Sequence, residues 1–352
     1  MDQINTRACA LPQPKLVGEF NGELVHEITL TGPDGSSCRI LTWGAVIADL
    51  RVKMPDGPLQ SVVLGFEKFE DYPKYSPYFG AVVGRYANRI SGGGFTLDGQ
   101  RYTLDQNEGP NTCLHGGAGG LSQRVWTIDA YSKESVTLGL HSPDGDQGFP
   151  GALDVKCTYT LSESAILSLE FNAVSTQSTI VNLSQHSYFN LDGSGSISDH
   201  RLTVIADRIT PVDSALIPSG ESLNVQGTPF DFMTPRPVSA PQCPMDLDHN
   251  FILTRPENLP VTQGSLAAIL ETQKTGLTMQ IYTTKPGLQV YDGHQLNVPI
   301  VGLNGQKYGP RSGICLEPQF FPDSPNQPAF PSAQLAAGEI YAHSIEYRFS
   351  CI

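Results

Sequence analysis

The sequence predicts an all-β protein, built as one large antiparallel β-sandwich, and three observations carry that reading. Short runs in which apolar and polar residues alternate recur from Leu24 to the C-terminus, each bounded by Gly, Pro or Asp. Glycine (35) and proline (27) are abundant without a collagen-like period, as tight turns between many strands require. No window sustains the 3.6-residue apolar period for three turns, so helices are confined to a turn near Phe66–Tyr72 and shorter pieces.

Taken in order, Leu24–Val52 reads as three antiparallel strands, L-V-H-E-I-T-L-T, C-R-I-L-T-W and V-I-A-D-L-R-V. Phe95–Leu104 is the clearest local signal: Asp98-Gly99 between two alternating runs calls for a type I′ hairpin. Further strands are predicted at Val125–Tyr131, Ser135–His141, Val155–Leu161, Ile166–Asn172, Thr179–Leu183, Arg201–Ala206, Ser265–Thr272, Leu277–Thr283, Leu288–Tyr291 and Glu339–Phe349. Near the end lies Gly313–Phe321, G-I-C-L-E-P-Q-F-F, where alternation puts Ile314 and Leu316 on one face and Cys315 and Glu317 on the other. Pro318 should close this strand against further pairing.

A chain of 352 residues can hold two or three average domains, yet β-rich folds often run this long as one. No linker or internal repeat interrupts the strand series. The turn-rich stretches Ser187–Asp199 and Pro218–Met245 lie inside it and read as loops over a cleft. The expectation is a single domain over residues 1–352, with 1–17 as an N-terminal extension.

Net charge of −13, from 22 basic and 35 acidic residues, argues against nucleic acid or an anionic membrane surface as a partner. Neutral ligands incur no such penalty. The start carries no basic-then-apolar leader, and no apolar run approaches ~18 residues, so a cytoplasmic protein is expected. Seven scattered cysteines without a C-x-x-C pair read as reduced thiols.

Several familiar devices are absent. There is no G-x-x-x-x-G-K-[ST], no G-x-G-x-x-G after a strand, and His26-Glu27 fails as a metalloprotease motif because position 30 is Leu. What remains is polar residues in unusual company. Glu317 at a strand end suits a general base, since a strand fixes it and a semi-apolar surround brings its pKa nearer working pH. Gly84-Arg85-Tyr-Ala-Asn88-Arg89 sets forked donors among small residues, with Arg89 equally readable as a structural ion pair. His115 precedes two glycines that let the backbone turn and a ligand approach. His186 follows an apolar strand among hydrogen-bonding and aromatic neighbours, Asp248 precedes an aromatic strand, and Gln289 shares a strand face with Tyr291.

The strings G-R-Y-A-N-R-I, L-H-G-G, S-Q-H-S-Y-F-N-L, P-V-D-S-A-L-I-P-S-G, G-T-P-F-D, L-D-H-N-F, G-L-Q-V-Y and C-L-E-P-Q-x-F-P-D-x-x-N-Q-P-x-F-P, in this order and spacing, resemble the aldose 1-epimerase (galactose mutarotase) family, from about Gly18 to Ser350. The resemblance implies a large β-sandwich that interconverts the α- and β-anomers of free aldohexoses such as galactose and glucose. It implies Glu317 as general base, His186 as general acid, and His115 assisting at the anomeric and ring-oxygen end. Arg85, Asp248 and Gln289 would hold sugar hydroxyls, with Asn88 close by. It implies no cofactor and no metal, a small-molecule sugar as partner, and a monomer or homodimer. Where relatives often carry Phe-Asp-Lys before the Trp, this chain has G-G-A-G-G-L-S-Q-R-V ahead of Trp126, in a loop that borders the sugar site in the family.

Ring opening removes the C1 hydroxyl proton while protonating the ring oxygen, so one carboxylate and one imidazole suffice. Glu317 is expected to begin ionised and His186 protonated. Three other readings stay open at this stage: a glycosidase using Asp248 and Glu317 as its carboxylate pair, a hexose-6-phosphate epimerase, and a sugar-binding protein without turnover.

Overall fold

A computed structural model describes residues 13–55, 57–239 and 245–351. Cys9, Cys243 and most of the N-terminal extension lie outside the described residues. Three antiparallel sheets carry the architecture. The largest orders its strands as Thr127–Tyr131, Ser135–Ser142, Leu153–Ser162, Ile166–Ser175, Ile340–Cys351, Leu277–Thr283, Ser265–Thr272, His200–Val204 and Arg236–Pro237. The second orders Tyr188–Phe189, Ile314–Gln319, Gly287–Tyr291, Asp248–Ile252, Arg208–Ile209 and Leu223–Asn224. The third joins Lys15–Phe20, Glu23–Thr31, Ser37–Leu41, Ile47–Lys53 and Leu59–Ser61.

Alternation explains how the sheets stack. Val155, Cys157, Tyr159 and Leu161 point inward from one long strand, and Leu167, Leu169, Phe171 and Ala173 from its neighbour. Ile345, Tyr347 and Phe349 continue that inner face. Against it the second sheet sets Ile314, Leu316, Leu288, Val290 and Phe251, and the third sheet adds Ile28, Leu30, Ile40 and Ile47 to the same core. Burying each of these side chains contributes about 1.5–3 kcal/mol, which offsets the backbone entropy lost in ordering so many strands. The opposite face of the second sheet is thereby left for chemistry.

The predicted elements map closely. The hairpin forms between Gly94–Leu97 and Gln100–Thr103, with Asp98 at φ 49° and Gly99 at φ 80°, as a type I′ turn demands. The Thr179–Leu183 strand shrinks to Thr179–Ile180, and the helical turn falls at Phe69–Asp71 and Tyr72–Tyr75. Pro318 does not close its strand: Leu288 pairs with Pro318 and Gly287 with Gln319. The reason is orientation, since the Pro318 carbonyl accepts the Ser184 hydroxyl, and in a strand a residue's N and C=O face the same edge. The missing N–H therefore points away from the ladder with Gly287–Tyr291. The five described cysteines are free thiols, four of them buried.

Candidate active site

Register builds the cleft floor. Asn250 stands opposite Gln289, and Gln289 opposite Glu317, so the three side chains form a row across adjacent strands on the face away from the core. Two residues along each strand on that face lie Asp248, Tyr291 and Cys315. Glu317 is 2 % exposed and Gln289 3 %. From a separate short strand, Ser184–His186, paired with Ala81–Val83, the imidazole of His186 reaches over the floor. His186 Nε2 lies 3.7 Å from Glu317 Oε1, and its Nδ1 is 3.5 Å from Cys315 Sγ.

His115 closes the group. Its ring centroid is 5.1 Å from that of His186 in an edge-to-face pair. His115 takes a left-handed φ of 52°, and the glycine after it packs against backbone: a Cβ on Gly116 would lie 2.1 Å from the Gly84 carbonyl oxygen. Only glycine fits there. The Asn88 N–H donates to His115 Nδ1 at 3.1 Å, and the His115 N–H donates to the Asn88 carbonyl at 3.1 Å.

Charge is set by Arg89. Its Nε and Nη2 donate to the two oxygens of Glu108 at 2.7 Å each, and Nη1 lies 3.9 Å from Asp248 Oδ2. Asp248 Oδ1 accepts Gln289 Nε2 at 2.6 Å. Burial raises the Asp248 carboxyl above the usual carboxylate range despite Arg89. Burial likewise pushes Glu317 well up, with Asp248 adding to the rise and Arg89 opposing it. Burial lowers His186 to about 4 and holds His115 well down. Desolvation in the unliganded cleft thus favours the neutral form of each, opposite to the ionised Glu317 and protonated His186 expected at the start of the reaction.

The structure brings Glu317, His186, His115, Asn88, Asp248 and Gln289 to one cleft, and it leaves Arg85 out. Arg85 is buried with its guanidinium spent on the Ser142 hydroxyl and on the carbonyls of Ser142, Pro143, Pro150 and Gly151, at 2.7–3.1 Å. No donor remains for a sugar. Arg89, which the sequence allowed as a mere ion pair, is the arginine of the cleft. Asn88 Oδ1 accepts the Arg89 N–H at 2.8 Å, so half of that side chain is already committed. Tyr78 was missed altogether. Its ring packs on His115 at 4.7 Å and stacks on His186 at 5.6 Å; the one sequence signal was an aromatic between Pro77 and the turn at Gly80. Of the loops expected over the cleft, Pro218–Met245 sends Phe230 against His249, 4.5 Å between rings, next to Asp248. The histidines given no role are placed accordingly: His200, for example, accepts the Leu191 N–H within the core.

Nitrogens of His115 and His186 and an oxygen of Glu317 fall within 4.8 Å of one another, a composition that could attract a divalent cation. The tautomer works against it. A backbone N–H can only donate, so Nδ1 of His115 is an acceptor and its Nε2 carries the hydrogen, leaving neither nitrogen a free lone pair for a metal. The similar group Asp246, Asp292 and His294 is held by Arg311, which donates to both carboxylates.

A carboxylate facing an imidazole, ringed by amide, guanidinium and imidazole donors on one face of a β-sandwich, defines an acid/base site for a polyhydroxylated ligand. Comparison with known proteins gives the family. The aldose 1-epimerase family profile matches residues 26–348. Galactose mutarotase of Bos taurus is 43 % identical over 316 residues, 88 % of this chain and 90 % of that protein. Aldose 1-epimerase of Escherichia coli K12 is 34 % identical, covering 93 % and 99 %. Among solved structures, an aldose epimerase homologue from C. elegans superposes with TM-score 0.87 at 31 % identity, over 93 % of this chain and 99 % of that one. Galactose 1-epimerase from Lactobacillus acidophilus gives 0.82 at 27 %, over 97 % and 99 %. The chain belongs to the aldose 1-epimerase family.

Proposed function

We infer that this protein is an isomerase, an aldose 1-epimerase that interconverts the α- and β-anomers of free aldohexoses such as galactose and glucose. The observation that carries the reading is the pair Glu317 and His186, supplied by different strands and facing each other at 3.7 Å. In our reading Glu317 takes the proton from the C1 hydroxyl and His186 delivers one to the ring oxygen. The ring opens, C1 turns about the C1–C2 bond, and the reverse transfers close it on the other carbonyl face. Each positioned group contributes about 10²–10⁴-fold, or ~3–5 kcal/mol of barrier.

The burial-favoured state, protonated Glu317 with neutral His186, is the state the pair reaches once the ring has opened. Burial thus favours keeping the single proton of the reactive pair on the other partner. Sugar binding must return it to His186, helped by the positive charge of Arg89 that favours ionised Glu317. Asp248, Gln289, Arg89 and Asn88 are assigned to the sugar hydroxyls. For a hexose 6-phosphate the cleft offers poor support, because the cation at hand, Arg89, is already bidentate with Glu108. A glycosidase would need Asp248 free to act on water, and its oxygens face Gln289 and Arg89 instead.

We further propose that the chain folds as one domain, supported by a core that draws residues from Ile28 to Phe349, and that it works in the cytoplasm, supported by buried free thiols. Among the described residues no helix is long and apolar enough to cross a membrane. The test is polarimetry of freshly dissolved α-D-galactose and α-D-glucose. Acceleration of the rotation change over the buffer rate is expected for both; a rate equal to buffer for both refutes the reading. Release of aglycone from aryl glycosides would favour hydrolysis.

A further inference from the structure

Behind the acid/base pair, the same sheet face carries buried polar atoms that no other group answers. Glu317 Oε1 faces His186, whereas Oε2 has no hydrogen-bond partner among the described residues. Gln319 follows on the same face of the strand Ile314–Gln319, about 7 Å along. It is 0 % exposed, and neither its amide oxygen nor its amide nitrogen has a partner among the described residues. Asn250 Oδ1 is a third such group. Its Nδ2 donates to Thr210 Oγ1 at 3.4 Å, and the oxygen lies across Gly287, where a Cβ would stand 2.4 Å from it. Gly287 is the residue paired with Gln319, so the three groups converge. The Phe321 ring covers the same glycine, 2.9 Å from that Cβ position.

Buried polar groups are paired in folded proteins, by protein atoms or by ordered water. The donor count selects the ligand. Asn250 Oδ1 and an ionised Glu317 Oε2 only accept, and Gln319 Nε2 only donates. A molecule that donates twice and accepts once, small enough for a place closed to solvent, is water, and about three hydrogen bonds are what an internal water makes. We propose that Gln319 and Asn250 hold a buried water against Glu317 Oε2 and so act as positioning residues for the base. The part it plays in the reaction rests on the epimerase reading above. Arg89 favours the ionised carboxylate and burial opposes it. A water donating to Oε2 adds a hydrogen bond to the charged form, at the oxygen that does not face His186. When Glu317 is protonated the same water turns and accepts, so it serves both states from one place.

Two measurements test this. A crystal structure of the wild-type protein at about 1.2 Å should show an ordered water within hydrogen-bond reach of Gln319, Asn250 and Glu317. Gln319 bonded directly to Glu317, or the place filled by a side chain, overturns the proposal. The second uses Gln319→Met, which keeps the length of the side chain and removes both amide atoms. Glu317 is faced by Arg89, Asp248, His115, His186, Cys315 and the hydroxyls of Tyr188 and Tyr347. All of these stay in the variant, so a difference from wild type belongs to the water. Losing a donor to the carboxylate raises its pKa, and ¹³C NMR of labelled glutamate should place the Glu317 midpoint about one pH unit higher. In polarimetry the alkaline limb of kcat/KM should move up by the same amount, and kcat/KM below it should fall about tenfold, since one unit is tenfold in the ionised fraction. A folded variant with midpoint and limb unmoved would overturn the proposal. Should the variant not fold, the wild-type crystal structure decides. If the wild type itself fails to mutarotate, the epimerase reading falls, and the crystal structure and the NMR midpoint still decide the water site.

Discussion

Arg85 and Arg89 stand four residues apart with the same chemistry, and the structure gives them opposite work. Arg85→Met tests the division. The guanidinium makes five hydrogen bonds, four of them to carbonyls from 142–143 and 150–151. Burial lowers its pKa only to about 10, so it is charged at neutral pH. Each stranded acceptor costs about 1–3 kcal/mol, and partial relaxation toward water brings the sum to roughly 3–5 kcal/mol. For a chain of 352 residues, unfolding entropy near 2.1 cal/mol/K per residue converts this to a fall of roughly 4–7 °C in Tm. Calorimetry reads that fall, and polarimetry at 25 °C should find the folded variant within about tenfold of wild type. Arg89→Met should instead lose about 10²–10³ in kcat/KM, because an arginine beside the reacting carboxylate is gone, with a fall in Tm as well, since Glu108 and the buried Asp248 lose their cation. Were Arg85→Met to lose activity with Tm unchanged, its guanidinium would be reaching the sugar and the assignment drawn from its five partners would be wrong.

Glu317→Gln keeps the shape of the site and removes the base; kcat/KM by polarimetry should drop at least about 10²-fold, and substantial residual epimerisation would refute the role. The pH profile of kcat/KM counts protons on the Glu317–His186 pair, which must hold one. Activity should fall as pH drops through about 4, where His186 gains a proton, and fall again as pH rises through the elevated Glu317 value. An acid limb near 6.5, the ordinary histidine value, would mean that His186 is not desolvated. Glu108→Gln releases Arg89 from its bidentate partner and should raise KM for galactose more than it lowers kcat, measured from initial polarimetric rates over a sugar series.

How much of this was legible follows from the range of each interaction. The Asp98-Gly99 hairpin and the long strands rest on neighbours in sequence, and they appear where alternation puts them. So does the split of Ile314 and Leu316 from Cys315 and Glu317, since a strand's two faces are fixed by parity alone. Pro318 was misjudged because its effect depends on which edge its nitrogen faces, and that edge is set by Ser184, 134 residues earlier in the chain.

The site divides along the same line. Family-like strings pointed to Glu317 and His186 but could not distinguish Arg85 from Arg89, because the decision lies in the carbonyls of 142–151 and in Glu108, none of which adjoins either arginine in sequence. The direction of the pKa shifts lies outside the local sequence for a related reason. The local sequence around Glu317 and His186 shows which groups can titrate, whereas their shifts come from being packed under distant strands, and burial outweighs the charges beside them. Tyr78 had no motif to announce it: its contacts with His115 and His186 are contacts of a fold, and no spacing along the chain encodes them. What sequence supplies here is the inventory of titratable and hydrogen-bonding residues; the sheet register and the left-handed turns at Asn88 and His115 decide which of them share one cleft.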